Sequence, residues 1–534
     1  MPLFGSLYIG ASGLQTSQNT LNTTAHNMAN TDTKGYTRQQ ILLGTRSYIN
    51  LSSSASAISY QQYGLGVVYS QTRQVRDVFL DKTYRKETGR CSFYEVNTKV
   101  IEEMEDLFGE FQGVEFSAAL ENLWTSMEEL LKSPCDMTNQ NMFVSRCDQF
   151  LTKAARVYDG LCEQQDNLNA QVEKTVEKIN EYGEQLVAIN KKIMRLETGD
   201  TEHANDLRDQ RNLILDELAK MGQIRYEEDF NGVVSVKFEG VDFVTSDLVN
   251  TIELHTDKET GFHTPYWKQL ANYKNNQWGE PELDLEAARV YNPTQKISTT
   301  MNTDIGSLRA TLLARGEKRA TYQDLEDSEA YNTDIYQSLL MNVEAEFDRL
   351  IHYVATTIND ALREAAMLEP DTDYLKDEDG NPYQMFELIS TDPEKGFSVS
   401  NMIVNESLKR EPGRLSFRTK DGKEDAAAIQ KMLDGFEAET YMLNPNLQTK
   451  TNIRRFYDAL INQVSNTGKT NKDFLDAQEA TVNETYSARE QVLGVSSDEE
   501  MEFMIKFQNA YNASSRYINV IDDMIEHIIN TLGR

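Results

Sequence analysis

Leu7, Leu14, Leu21 and Met28 recur every seven residues at the start of the chain, with Ala11, Gln18 and Ala25 four positions after the first three. This spacing predicts a helix with a narrow apolar seam. Near the other end Met504, Tyr511, Ile518, Ile525 and Leu532 recur at the same interval, and Phe507, Ser514, Ile521 and Ile528 follow three residues after the first four. Ser497 and Glu500 stand in the S-x-x-E spacing of a capping box, which sets the expected start of that helix. One such seam can fold onto its own core; two at opposite ends are buried most simply against each other, so the ends should pair.

Between the seams the period changes several times. Residues 40 to 90 mix apolar and hydroxyl side chains and read as an irregular linker with one or two short strands. From about 92 the pattern is helical, and Leu120, Leu123, Trp124, Met127 and Leu131 share one face of a helix that Pro134 closes. Leu168, Val172, Thr175, Ile179, Tyr182, Leu186, Ile189, Ile193 and Leu196 then alternate at four and three, a coiled-coil seam over four heptads. A second helix over about 205 to 221 makes a helical hairpin with it. After Gly222 the period becomes two: Ile224, Tyr226, the pair Asn231-Gly232, then Val234, Val236 and Phe238 predict strands about a type I′ turn. Helix resumes over about 320 to 367, with Leu340, Val343, Phe347, Leu350, Val354 and Ile358 on one face, and again through Ile453, Phe456, Leu460 and Val464.

The expected fold is therefore mainly α with inserted β domains, built as a nested chain that goes out from an inner layer and returns. Residues 1–60 with 491–534 form an inner domain of paired terminal helices. Residues 61–222, 303–367 and 441–490 form a helical rod, 223–302 a β-rich outer domain containing Trp267 and Trp278, and 368–440 a loop-rich excursion of the rod or a second lobe.

Charge sharpens the reading of the first seam. Residues 1 to 31 contain no Asp, Glu, Lys or Arg in a chain that is 26% charged. A helix bordered by Ser, Thr, Asn and Gln lacks the Lys and Glu that solvate an isolated helix, and suits close packing against protein. The net charge of -32 opposes nucleic acid and anionic membrane surfaces. No run of eighteen apolar residues predicts membrane insertion, and no basic, continuously apolar leader predicts a secretory signal, so composition alone reads as cytoplasmic.

Catalytic and metal chemistry find little support. Cys91, Cys135, Cys147 and Cys162 contain no C-x-x-C pair and are expected as free thiols. Asp377 to Gly380 resembles part of a calcium loop, but its register puts Leu375 and Phe386 where carboxylates are required. The six histidines, among them His352 and His527 at helix edges, form no metal-binding pair, and no P-loop, G-x-S-x-G or G-x-G-x-x-G occurs. No cofactor, metal or enzymatic activity is expected.

The stretch Leu3 to Gln39, LFGSLYIGASGLQTSQNTLNTTAHNMANTDTKGYTRQ, resembles the N-terminal segment of bacterial flagellar axial proteins, with the turn Ala29-Asn30-x-x-Thr33-x-Gly35-Tyr36 after the first helix. Gly35-Tyr36-Thr37-Arg38-Gln39, Asp206 to Arg211, Gly306-Ser307-Leu308, Gly494-Val495-Ser496, Asp498-Glu499-Glu500 and Phe507 to Tyr511 narrow the resemblance to the flagellar hook-associated protein 1 family. Lys34 departs from it, since that turn most often has Pro there; Gly35 still supplies any positive φ. The resemblance implies a structural protein of the hook-filament junction, exported without a cleaved signal peptide by the flagellar type III apparatus to the extracellular flagellum. It further implies contacts with the hook protein, the second junction protein and neighbouring copies, and an export chaperone on the C-terminal helix. The expected assembly interface is Leu7, Leu14, Leu21, Met28, Met504, Phe507, Tyr511, Ile518, Ile521, Ile525 and Leu532, with Asn30, Gly35 and Tyr36 forming the turn. Another axial protein (hook, distal rod or second junction protein) is the alternative; an adhesin or enzyme presenting 223–302 on coiled coils is a more distant one.

Overall fold

The computed structural model describes residues 2–47, 49–50, 62–109, 116–198, 203–275, 281–368, 374–377, 380–390, 396–419 and 421–532. In chain order its helices are α1 (Pro2–Ala29), α2 (Val78–Phe108), α3 (Phe116–Lys132), α4 (Met137–Glu197), α5 (Asn205–Met221), α6 (Ser307–Arg315), α7 (Ser328–Ala330), α8 (Leu339–Leu368), α9 (Glu406–Arg410), α10 (Ala427–Glu437), α11 (Ile453–Leu493) and α12 (Ser497–Leu532). The chain divides into two compact units: Met1–Thr88, Ile179–Thr251 and Glu479–Arg534 form the first, Gly89–Lys178 and Ile252–Gln478 the second. Helices α2, α4 and α11 contribute residues to both.

The second unit is built on large apolar side chains. Phe116 lies within ring contact of Phe150, Phe347 and Tyr457, with centroids 5.0 to 5.3 Å apart. The faces read from the sequence hold: Leu120, Leu123, Trp124 and Met127 of α3, Leu340 to Ile358 of α8, and Ile453, Phe456, Leu460 and Val464 of α11 are all buried in this one core. Described residues of the stretch expected as a loop-rich excursion, 368–440, contribute to the same core. Met385, Phe386, Met402 and Val404 on a small antiparallel ribbon, with Leu415, Phe417, Met432 and Phe436, add to the same cluster. Their apolar positions follow no fixed period, which is why the sequence reads there as loop.

Helix α8 also carries three buried carboxyls, Glu344, Glu346 and Asp348. Asp348 accepts hydrogen bonds from Val399 N at 2.7 Å and Tyr322 N at 2.9 Å. Glu346 accepts from Asn444 Nδ2 at 2.7 Å and Gln463 Nε2 at 2.8 Å. Burial pushes both acids up to about 7 despite these donors. The helix expected from 320 starts later: the chain first makes short turns, including a π-helical one over Tyr331–Ile335, before α8 begins at Leu339.

In the first unit the seam of α4 from Ile179 to Ile193 is buried, but strands as well as helix cover it. Strands Ile224–Glu228, Val234–Phe238 and Val241–Val244 form one antiparallel sheet. A Cβ on Gly183 would come within 2.6 Å of the Phe243 ring, and Asn190, fully buried, pairs with the backbone of Val234 in both directions at 2.8 and 3.2 Å. Leu196, expected in the seam, is exposed. The hairpin turn is not type I′: only Gly232 has positive φ, and Asp229 Oδ1 accepts from Asn231 N and Val233 N, a type I turn closed by a left-handed glycine. The region expected as one β domain over 223–302 is divided, because strands 224–244 rest on α4 residues of the first unit. The ribbon of Ile252–Thr256 with His263–Trp267 belongs to the second unit, tied to α4 by Asn169 Oδ1, which accepts from His263 N at 2.8 Å. Trp267 is buried; Trp278 lies outside the described residues. The supposed linker after residue 38 contains an eight-residue strand, Val67–Gln74, paired antiparallel with Gln39–Thr45.

Candidate functional site

The chain's two ends meet as an antiparallel helix pair. A Cβ added to Gly10 of α1 would lie 2.7 Å from Ile518 Cγ1 of α12, and one added to Gly13 would lie 2.8 Å from Ser514 Oγ. The face of α1 that is buried carries Gly10, Thr16, Ser17, Thr20, Thr24 and Asn27, whereas the expected seam of Leu7, Leu14, Leu21 and Met28 is half-buried at its flanks. The expected seam therefore flanks the line of closest approach, which the small residues occupy. Small residues let the backbones approach, and their hydroxyls are satisfied within the helix: Thr16 donates to Ser12 O at 2.6 Å, Ser17 to Gly13 O at 2.8 Å and Thr20 to Thr16 O at 3.0 Å. The signal was present as the spaced Gly10-x-x-Gly13, but a search for large apolar residues passes over it.

On α12 most of the expected seam is at least half-buried, but Ile528 is exposed. Met504, Phe507, Tyr511, Ile518 and Ile525 are half-buried and Ile521 is buried; the side chain of Leu532 lies outside the described residues. A second stripe on α12 is open: Met501, Ile505, Tyr517, Val520, Met524 and Ile529 are between 42% and 65% exposed. The outer face of α1, with Tyr8, Ala11, Gln15, Gln18, Asn22 and Ala25, is exposed and uncharged.

A compact turn locks the base of the pair. Asn27, buried, accepts from Tyr36 Oη at 2.7 Å and Gln39 N at 3.1 Å, and donates to Gln39 O at 2.9 Å. Gly35 has φ of 81°, as the turn requires, and Asn30 Nδ2 donates to His26 O. Burial, then the Asp209 charge, push the Tyr36 hydroxyl up, so it stays a donor. Thr37 N donates to Asp209, whose carboxyl burial pushes up to about 6. Arg38 then reaches α12: its Nε donates to Glu500 Oε1 at 2.8 Å, another guanidinium nitrogen lies 3.1 Å from Glu499, and the group sits over the Phe503 ring. Glu500 therefore does not close a capping box with Ser497. Ser496 takes the cap, its Oγ accepting from Glu499 N at 3.4 Å. Of the turn residues expected, Asn30, Gly35 and Tyr36 are all in place; Asn27 and Arg38, which join the turn to both helices, were missed because neither has a periodic signature.

Beside this turn a cleft of 740 Å³ is lined by Lys34, Arg38, Glu217, Arg489 and Glu499 among others. Asp216 and Arg489 of its lining belong to a chain of alternating charges, most of them buried, that continues behind the wall. Arg76 holds Asp81; Arg489 bridges Asp81 and Asp216 at 2.8 Å each; Arg85 holds Asp216 at 2.6 Å. Tyr84 and Tyr226 lie under the guanidinium groups of Arg489 and Arg85. Three guanidinium groups share two carboxylates, and the arrangement ties together the helices that carry them. Among the described residues no group of three or more His, Cys, Asp or Glu could hold a metal, and no helix is long and apolar enough to cross a membrane.

Comparison with known proteins matches these same elements. The flagella basal body rod protein family matches residues 7–37, and the C-terminal family of basal body rod FlgEFG proteins matches 491–531, so helix pair and turn define an axial protein of the bacterial flagellum. The flagellar hook-associated protein FlgK helical domain matches residues 101–373, and the chain belongs to that family, a structural family of the hook-filament junction. Flagellar hook-associated protein 1 of Bacillus subtilis (strain 168) is 23% identical over 99% of this chain and 98% of its own length. That of Escherichia coli (strain K12) is 22% identical over 97% and 98%. The solved flagellar hook junction protein FlgK from Burkholderia pseudomallei aligns over 57% of this chain and 46% of its own at 15% identity and a TM-score of 0.42. The location is thus the flagellum, among other flagellar components.

Proposed function

We propose that this protein joins hook to filament through α1 and α12, which enter a helical tube between hook subunits on one side and the second hook-filament junction protein on the other, beside neighbouring copies of the chain. The supporting observation is the open stripe of α12, Met501 to Ile529, set against the uncharged outer face of α1. The helices cover each other on one side only, and copies related by a non-closing screw supply the rest. Before assembly the same stripe is covered by an export chaperone, and the chain leaves by the flagellar type III apparatus without losing a signal peptide. The protein works by contact and takes no cofactor or metal.

The test replaces Ile518 and Ile525 with Asp, both on the face of α12 that meets α1. The second unit keeps its unfolding midpoint, because none of its core residues lies on α12. Cells show hooks without attached filaments in electron micrographs and do not swim. Normal motility with attached filaments rejects the reading; hooks that fail to form at all point instead to a hook or distal-rod component.

A further inference from the structure

Glu344 of α8 and Gln165 of α4 are both fully buried. Gln165 Nε2 donates to Glu344 Oε2 at 3.1 Å, and Ala320 N donates to the same oxygen at 3.2 Å. The amide's orientation is fixed independently. Its nitrogen also donates to Arg315 O at 3.0 Å and faces Lys318 O at 3.4 Å, so turning it over would set oxygen against oxygen. Two acceptors remain, Glu344 Oε1 and Gln165 Oε1, each buried without a donor among the described residues. An ionised carboxylate leaves both unsatisfied, each bearing the desolvation penalty of a buried acceptor with no donor. One proton satisfies both, because a carboxylic acid and a primary amide close into a ring of two hydrogen bonds.

We propose that Glu344 keeps its proton at neutral pH and donates it from Oε1 to Gln165 Oε1, forming an acid–amide clasp that fastens residues 315–320 between α4 and α8 and loosens when the proton leaves. The groups around it favour this state. From α4 come Tyr158 and Cys162, both held protonated by burial, and Asp166; from the clasped segment comes Arg319; from α8 itself, Asp348. Arg319 is the cation facing Glu344, but it is half exposed and engaged by Asp166 at 3.0 Å. Burial accordingly pushes Glu344 up to about 8.

A raised acid gives stability that is complete below the ordinary carboxylate value, declines as pH rises from there to about 8, and is level above. In the full chain, Glu344→Gln retains a ring of two hydrogen bonds without a titrating proton. Its folding equilibrium gains on the wild type by about tenfold per pH unit between pH 5 and 8, and the difference then stops growing. The infrared difference between wild type and Glu344→Gln at pH 7.5 contains a protonated-carboxyl band that is lost by pH 9.5, while Glu346 and Asp348, also pushed up by burial, contribute to both proteins alike. Should the variant fail to fold, the same titration in a Glu346→Gln, Asp348→Asn variant, which leaves Glu344 as the buried carboxyl of α8, decides. Absence of the band at pH 7.5, or a difference between variant and wild type that stays constant from pH 5 to 8, overturns the clasp, and an ionised Glu344 served by a trapped water gives that result.

Discussion

Phe116, Phe150, Phe347 and Tyr457 close the interior of the second unit with ring against ring, whereas the helix pair of the first unit is closed by Gly10, Gly13, Ser17 and Thr20. The second unit buries a large connected core of aromatic and aliphatic residues, although some, Tyr273, Tyr336 and Phe474 among them, are exposed. The first leaves many such residues outside, on α12, and holds its base together with paired charges and a hydrogen-bonded turn. Burial of aromatic area drives folding without help from a neighbour. A seam of small residues permits close approach but removes little apolar surface from water, so the helix pair has stability to gain from further contacts. One part of the molecule thus closes over its own core, whereas the other keeps an open apolar stripe, which the assembly proposed above would cover.

Three substitutions probe that contrast, the largest effect first. Phe347→Ala empties the centre of the second unit and is expected to cost about 3–5 kcal/mol; denaturant unfolding should show it in that unit while hydrogen exchange in α1 and α12 stays unchanged. Gly10→Ala forces a Cβ against Ile518 and is expected to loosen α1 from α12 by about 1–3 kcal/mol; faster amide exchange confined to the helix pair is the readout, and an effect spread over the second unit would break the contrast. Val520→Ser, on the open stripe, should change monomer stability by less than about 0.5 kcal/mol yet lower recovery of the protein in purified hook–filament assemblies. Unchanged recovery would mean that this part of the stripe is not an assembly surface.

Periodic elements were legible in the sequence and the contacts between them mostly were not. The span of α5, the faces of α3 and α8 and most of the seam of α12 follow from apolar spacing, which reports one helix at a time. The seam of α4 was legible as a buried stripe, but not the sheet lying on part of it, since Asn190 and Gly183 look like interruptions until Val234 and Phe243 are brought to them. Arg76, Asp81, Arg85, Asp216 and Arg489 read singly as solvated charges, and pairing across such sequence distances leaves no local mark. The turn after α1 was found through its resemblance to known segments rather than through physics. Its two joining residues, Asn27 and Arg38, had to wait for the structure.

Arg38 and Glu500, joined by a direct hydrogen bond, stand 462 residues apart. Bringing them together closes a very long loop; the entropic cost of closure grows only slowly with length, but contacts of such sequence separation slow folding. As the chain emerges from the ribosome, α1 must wait for the last stretch to be synthesised before its partner exists. The joint at the foot of the helix pair therefore depends on both ends of the sequence at once, and neither end can make it alone.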